Sequence, residues 1–96
     1  MKKEEEIMQI LKKLMPELAK EYYVKKLGVF GSFSDGTHRE DSDIDILVDF
    51  KKPVGWKFFT LELYLEKVLG RKVDLVTRNA LKKQIRDGIL SQVKYI

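Results

Sequence analysis

An α/β (α+β) fold, a small mixed sheet of about three main strands covered by helices, is predicted by three features of this 96-residue chain. Apolar side chains recur at helical spacing in three stretches, near residues 4–22, 56–69 and 79–93. Between them lie short runs rich in β-branched and aromatic residues, 24–30, 43–50 and 72–77. The links are short, so helices alternate with strands and must cover one sheet. Ninety-six residues suffice for one core but not two, so residues 1–96 are expected to form a single domain.

Three Glu precede Ile7, Leu11, Leu14 and Met15, which marks a helix over 4–15. Pro16 is expected to end or kink it, with a second short helix running from Pro16 to about Tyr22. Val24 to Phe30 reads as a buried strand closed by Gly31-Ser32. Residues 32–41 are polar and broken by Gly36, giving a short helical turn and a loop. In the strand Asp43–Phe50, alternation puts Asp43, Asp45, Leu47 and Asp49 on one face and Ile44, Ile46, Val48 and Phe50 on the other. Residues 51–55 form a loop. The next helix, Trp56–Leu69, carries a broad apolar face and stops at Gly70. Trp56, Phe58 and Phe59 are expected to pack as helix core rather than stack on bases. Residues 72–77 form the third strand and 79–93 the closing helix, whose Leu81, Ile85 and Ile89 suit either core or an interface.

Composition narrows the function. There are no cysteines, which excludes disulfides, thiol nucleophiles and zinc fingers. No apolar run reaches the roughly 20 residues of a membrane span, and the N-terminus is no signal peptide, so a cytoplasmic location is expected. The net charge of +4 is unevenly spread: residues 1–30 carry +2, residues 31–50 carry −5 and residues 51–96 carry +7. An acidic centre makes direct nucleic-acid binding a poor fit, because such grooves are basic throughout. It suits a cation site set among basic surfaces.

The chemistry-bearing residues are concentrated. Asp43 and Asp45 lie one residue apart on one strand face, where they would repel unless a cation offsets the charge. Mg²⁺ prefers such hard oxygen ligands, with water and phosphates completing its sphere. Two such ions can activate an attacking oxygen and stabilise a leaving one. Asp74, an acid between Val73 and Leu75, offers the third carboxylate. Gly31-Ser32, after a buried strand and before a helical turn, presents backbone amides and a hydroxyl suited to phosphate. Each element alone is common. Their order along the chain is specific, and it points to nucleotide chemistry. His38 sits in a polar loop and is expected to be exposed.

GSFSDGTHREDSDIDILVDF followed by GRKVDLVT resembles the minimal nucleotidyltransferase (MNT) domain of the DNA polymerase β-like superfamily, and the likeness covers nearly the whole chain. It implies a palm-like core in which Gly31 and Ser32 hold the β- and γ-phosphates of a nucleoside triphosphate. It also implies two Mg²⁺ ions held by Asp43 and Asp45, with Asp74 on the catalytic ion and helping to deprotonate the acceptor hydroxyl. One departure stands out: the family carries Arg or Lys just before the second loop glycine, where this chain has Asp35. Arg39, Lys57 and Arg78 are the candidates to replace that charge. MNT proteins of this size resemble the antitoxin of two-gene pairs whose partner is a HEPN ribonuclease toxin. The resemblance therefore implies transfer of AMP from ATP to a tyrosine of that toxin. The alternative is a catalytically weak or inactive module that neutralises by binding alone. An aminoglycoside nucleotidyltransferase fits less well, because no second substrate domain is evident.

Overall fold

The computed structural model describes residues 4–30 and 43–96. The expected turn and loop over 32–41, with Ser32, Asp35, Gly36, His38 and Arg39, and the preceding Gly31, lie outside the described residues. The chain opens with helix α1, Glu4–Glu21, and Pro16 neither ends nor splits it. A proline inside a helix costs about 3 kcal/mol through its missing amide and ring clash. Here Ile7, Leu11 and Leu18 are all fully buried, so the apolar stripe continues in phase across Pro16. Breaking the helix there would withdraw Leu18 from the core, a loss of about 1.5–3 kcal/mol. The chain leaves α1 through Tyr23, whose φ of 58° is left-handed. That conformation costs a Cβ-bearing residue about 1–2 kcal/mol. The Tyr23 carbonyl accepts the Lys51 amide at 2.8 Å. The Lys52 and Lys57 ammonium groups lie 4.0 and 5.0 Å from its ring centre, which holds it in place.

Strands β1 (Val24–Phe30) and β2 (Ile44–Phe50) pair antiparallel, with a register shift between Val24 and Lys26. The shift explains why Lys25 and Lys26 are both exposed while Val24 and Leu27 are both buried. Helix α2 (Lys57–Leu69) follows and ends at Gly70, whose φ of 69° and amide bond to the Glu66 carbonyl form the expected left-handed stop. Strand β3 (Val73–Thr77) then pairs parallel to β2. The closing segment differs from the expected single helix over 79–93. It is a 3-10 turn at Arg78–Ala80, then α3 (Lys83–Gln92), then a two-residue strand β4, Lys94–Tyr95. β4 pairs antiparallel with β1, giving the sheet order β3-β2-β1-β4. Two residues are too few to show alternation, which is why this fourth strand carries no sequence signal.

The sheet has two unlike faces. Ile44, Ile46, Val48, Val73 and Leu75 join the buried residues of α1 and α2 in the main core. On the other face Phe30, Leu47 and Leu81 form a smaller cluster, with Ile89, Leu90 and Val93 against it. The last helix thus contributes to core through Ile89, while Ile85 is exposed. The broad apolar face expected for α2 also divides. Leu61, Leu65 and Leu69 are buried and Phe58 packs beside them, but Trp56, Phe59 and Leu63 are exposed. Four-residue spacing can serve one side only, and the outer three lie on the other. Among the described residues no helix is long and apolar enough to cross a membrane.

Candidate active site

Strand pairing brings the separated carboxylates together. β2 and β3 run parallel and in register, Ile44 beside Val73 and Asp45 beside Asp74. The Ile44 amide donates to the Lys72 carbonyl at 2.9 Å and fixes both strand starts at one end of the sheet. Adjacent strands lie roughly 4.8 Å apart, so the Asp45 and Asp74 backbones are immediate neighbours. On the other side Asp45 faces Phe30, the last residue of β1. Gly31 therefore follows directly from a residue paired with Asp45, although Gly31 and Ser32 themselves lie outside the described residues. Asp43 stands just ahead of β2 and is exposed, Asp45 is half-buried and Asp74 is exposed.

The electrostatics follow from this placement. The Asp45 carboxyl is pushed up from 3.8 to about 6, by burial first, then by the negative charges of Asp74 and Asp43. Phe30 beside it and Leu47, next on the same face, supply apolar surroundings. Three acids thus share one field, although among the described residues no group of three acidic, histidine or cysteine side chains is arranged to hold a metal ion by itself. The two observations agree for an open site. Mg²⁺ usually takes one or two carboxylates and keeps water and substrate phosphates for the rest, and a carboxyl destabilised by its neighbours is one that a cation relieves.

Other sequence candidates fall elsewhere. Asp49 shares the β2 face but pairs with Lys26 at the far end. There it lines a cleft of about 430 Å³ with Lys51, Lys52, Thr77 and Arg78. That cleft contains none of the three clustered acids. Lys57 donates to the Glu21 carbonyl at 2.9 Å and lies over Tyr23, so it is engaged away from Asp45. Arg78 lies in the far cleft. Two residues that sequence reading passed over support the site from behind. The carboxylates of Glu66 and Glu62 accept the Val73 and Leu75 amides at 3.0 and 3.2 Å. They therefore brace the strand that carries Asp74, the outer strand of the sheet among the described residues. The four-residue spacing of Glu62 and Glu66 was the available signal.

Residues 11–96 match the nucleotidyltransferase domain family. The chain belongs to that family. This nucleotidyltransferase is 47% identical over 93 residues to the protein adenylyltransferase MntA of Thermococcus cleftensis, covering 96% of this chain and 94% of the relative. It is similar to a solved structure of a candidate minimal nucleotidyltransferase, with TM-score 0.80 and 30% identity over 97% of this chain and 95% of that one. A toxin–antitoxin structure with AMP-PNP matches at TM-score 0.69 and 26% identity, over 86% of this chain and 69% of that one. The fold is also shared with a Shewanella oneidensis complex of tri-AMPylated HEPN toxin and MNT antitoxin. That match has TM-score 0.63 and 22% identity, over 92% of this chain and 70% of that one.

Proposed function

We propose that this nucleotidyltransferase is a Mg²⁺-dependent protein adenylyltransferase that acts in the cytoplasm as the antitoxin of a HEPN ribonuclease toxin. The observation that carries this reading is the register of Asp45 beside Asp74, with Asp43 two residues ahead and the strand leading to Gly31-Ser32 alongside. Asp43, Asp45 and Asp74 would hold two Mg²⁺ ions, which when bound neutralise phosphate charge and acidify the attacking hydroxyl. Gly31 and Ser32 would bind the β- and γ-phosphates of ATP. Asp74 accepts the proton of a tyrosine hydroxyl, whose oxygen forms a bond to the α-phosphorus as the α–β bridging bond breaks. AMP is then on the tyrosine, and pyrophosphate carries away the bonding pair. The adenylyltransferase relative at 47% identity supports the protein acceptor. The toxin–antitoxin structure with AMP-PNP supports the nucleotide.

A second reading, neutralisation by contact alone, is favoured by one observation. Asp35 stands where a basic residue is expected, and neither Lys57 nor Arg78 is placed among the carboxylates to replace it. Incubation with labelled ATP, Mg²⁺ and the product of the adjacent gene separates the two. Label on the partner that is absent with Asp43→Ala is expected. No label with wild type, together with full neutralisation by Asp43→Ala, would establish the contact reading instead. Asp45→Asn and Asp74→Asn are expected to abolish transfer and remain folded by circular dichroism.

A further inference from the structure

β2 and β3 run parallel, and α2 lies between them in the chain. In open α/β sheets ligands settle in the crevice outside the carboxyl ends of such strands. The three clustered acids occupy the opposite, amino ends. The carboxyl ends hold the cleft of about 430 Å³, within the usual size of a small-molecule site. Asp49 and Lys51 line it from the end of β2, and Thr77, Arg78 and Asn79 from the end of β3. Among the described residues none of these five side chains makes a hydrogen bond or an ion pair. Thr77 stands at the head of the 3-10 turn and forms no side-chain cap there. Lys52 alone is engaged, over the Tyr23 ring.

The lining is of mixed sign, and the mixture selects the ligand. Arg78 offers a planar fork and Lys51 a point charge, both suited to phosphate. Asp49 repels a bare anion, so its carboxylate calls for hydrogen-bond donors on the same ligand. Sugar hydroxyls are such donors, and an acid against ribose hydroxyls is a recurrent contact in α/β nucleotide sites. We propose that this cleft is a second binding site, for a small sugar phosphate such as a ribose phosphate or a nucleoside monophosphate. Arg78 and Lys51 take the phosphate, and Asp49 accepts from the sugar hydroxyls. The site is separate from the candidate active site. Asp49 lies four residues beyond Asp45 on one strand, roughly 13 Å away. A single ATP held by its phosphates at the acids would bring only its uncharged base this far, leaving Lys51 and Arg78 without an anion. The assignment therefore stands independently of the proposed function.

Amide NMR spectra of the ¹⁵N-labelled chain, titrated with ribose 5-phosphate in EDTA, test it. Saturable shifts are expected at Thr77, Arg78 and Asn79, with Asp45 and Asp74 unmoved. Arg78→Gln should weaken binding at least tenfold with unchanged thermal unfolding, and Lys51→Gln should act in the same direction. Asp49→Asn should weaken ribose 5-phosphate but not inorganic phosphate. If a variant unfolds, the shift map of the wild type decides alone. AMP distinguishes the source: tighter binding than ribose 5-phosphate marks a nucleotide, equal binding a free sugar phosphate, and both support the site. No saturable shift with either compound overturns it, as do shifts centred on Asp45 and Asp74. Inorganic phosphate bound as tightly as ribose 5-phosphate, with no effect of Asp49→Asn, would reveal a patch for anions alone and also overturns it.

Discussion

Asp45 shows how much one residue reveals about the state the site is built for. Its carboxyl is raised to about 6, above the 3.8 of an unperturbed aspartate. The folded protein therefore holds this proton to higher pH than the unfolded chain does. By linkage the group's contribution to stability is full below about pH 4, falls as pH rises to about 6, and is flat beyond. Complete conversion of the displacement would be about 3 kcal/mol. Partial exposure cuts that to about 1 kcal/mol. Asp45→Asn, with no charge to lose, should therefore be about 1 kcal/mol more stable than wild type at pH 7 without metal, and the gap should vanish near pH 4. Thermal unfolding at both pH values measures it. Added Mg²⁺ should raise the wild-type melting temperature and leave Asp45→Asn nearly unmoved; an equal rise in both would remove Asp45 from the cation site. The strand positions of Asp45 and Asp74 were legible because alternation fixes the face of each acid. Tyr23 was not, since nothing local marks a tyrosine for a left-handed turn that distant lysines hold in place.

At the scale of elements, legibility followed from whether local preference and tertiary packing agreed. β1, the α2 stop at Gly70 and β3 obey their own sequence and appear where expected. α1 does not, because burial of Ile7, Leu11 and Leu18 on one face overrides Pro16. Pro16→Ala restores a main-chain amide in the helix and should stabilise the protein by about 1–2 kcal/mol, less than the full proline penalty because the unfolded chain gains freedom as well. Denaturant unfolding checks this. The bracing of β3 is similarly invisible to periodicity, since it joins helix carboxylates to amides on a strand edge. Glu66→Ala leaves the Val73 amide without its partner, and loss of a bond to a charged acceptor at a partly exposed site costs about 1 kcal/mol. Hydrogen exchange at the Val73 amide should accelerate more than at Val29 in the centre of the sheet. Equal acceleration at both would mean general destabilisation.

Across the whole molecule, the sheet order separates two kinds of edge. β3 is closed by glutamates, while β1 is covered by a strand of only two residues, β4. What admits β4 is Gly28. A Cβ there would overlap the Val93 Cγ1 atom and crowd the Tyr95 ring, and the Ile96 amide must still reach the Leu27 carbonyl at 2.8 Å. This close approach also seats Val93 against the small cluster of Phe30, Leu47 and Leu81, on the face that carries Asp45. The end of the chain is thereby linked to the floor of the candidate site. A glycine inside a strand signals close backbone approach in general but does not say of what, so this linkage was beyond sequence reading. Gly28→Ala should destabilise the protein by about 2 kcal/mol, within the usual range for overpacking. The loss should be concentrated in β4: exchange at the Ile96 amide should rise well before that at Ile46. Val93→Ala removes the atom that a new Cβ would meet, so the double variant should recover part of the loss relative to Gly28→Ala. Recovery would locate the strain at that contact. Strictly additive losses would instead assign the cost to Gly28 itself and leave the seating of β4 without a role in it.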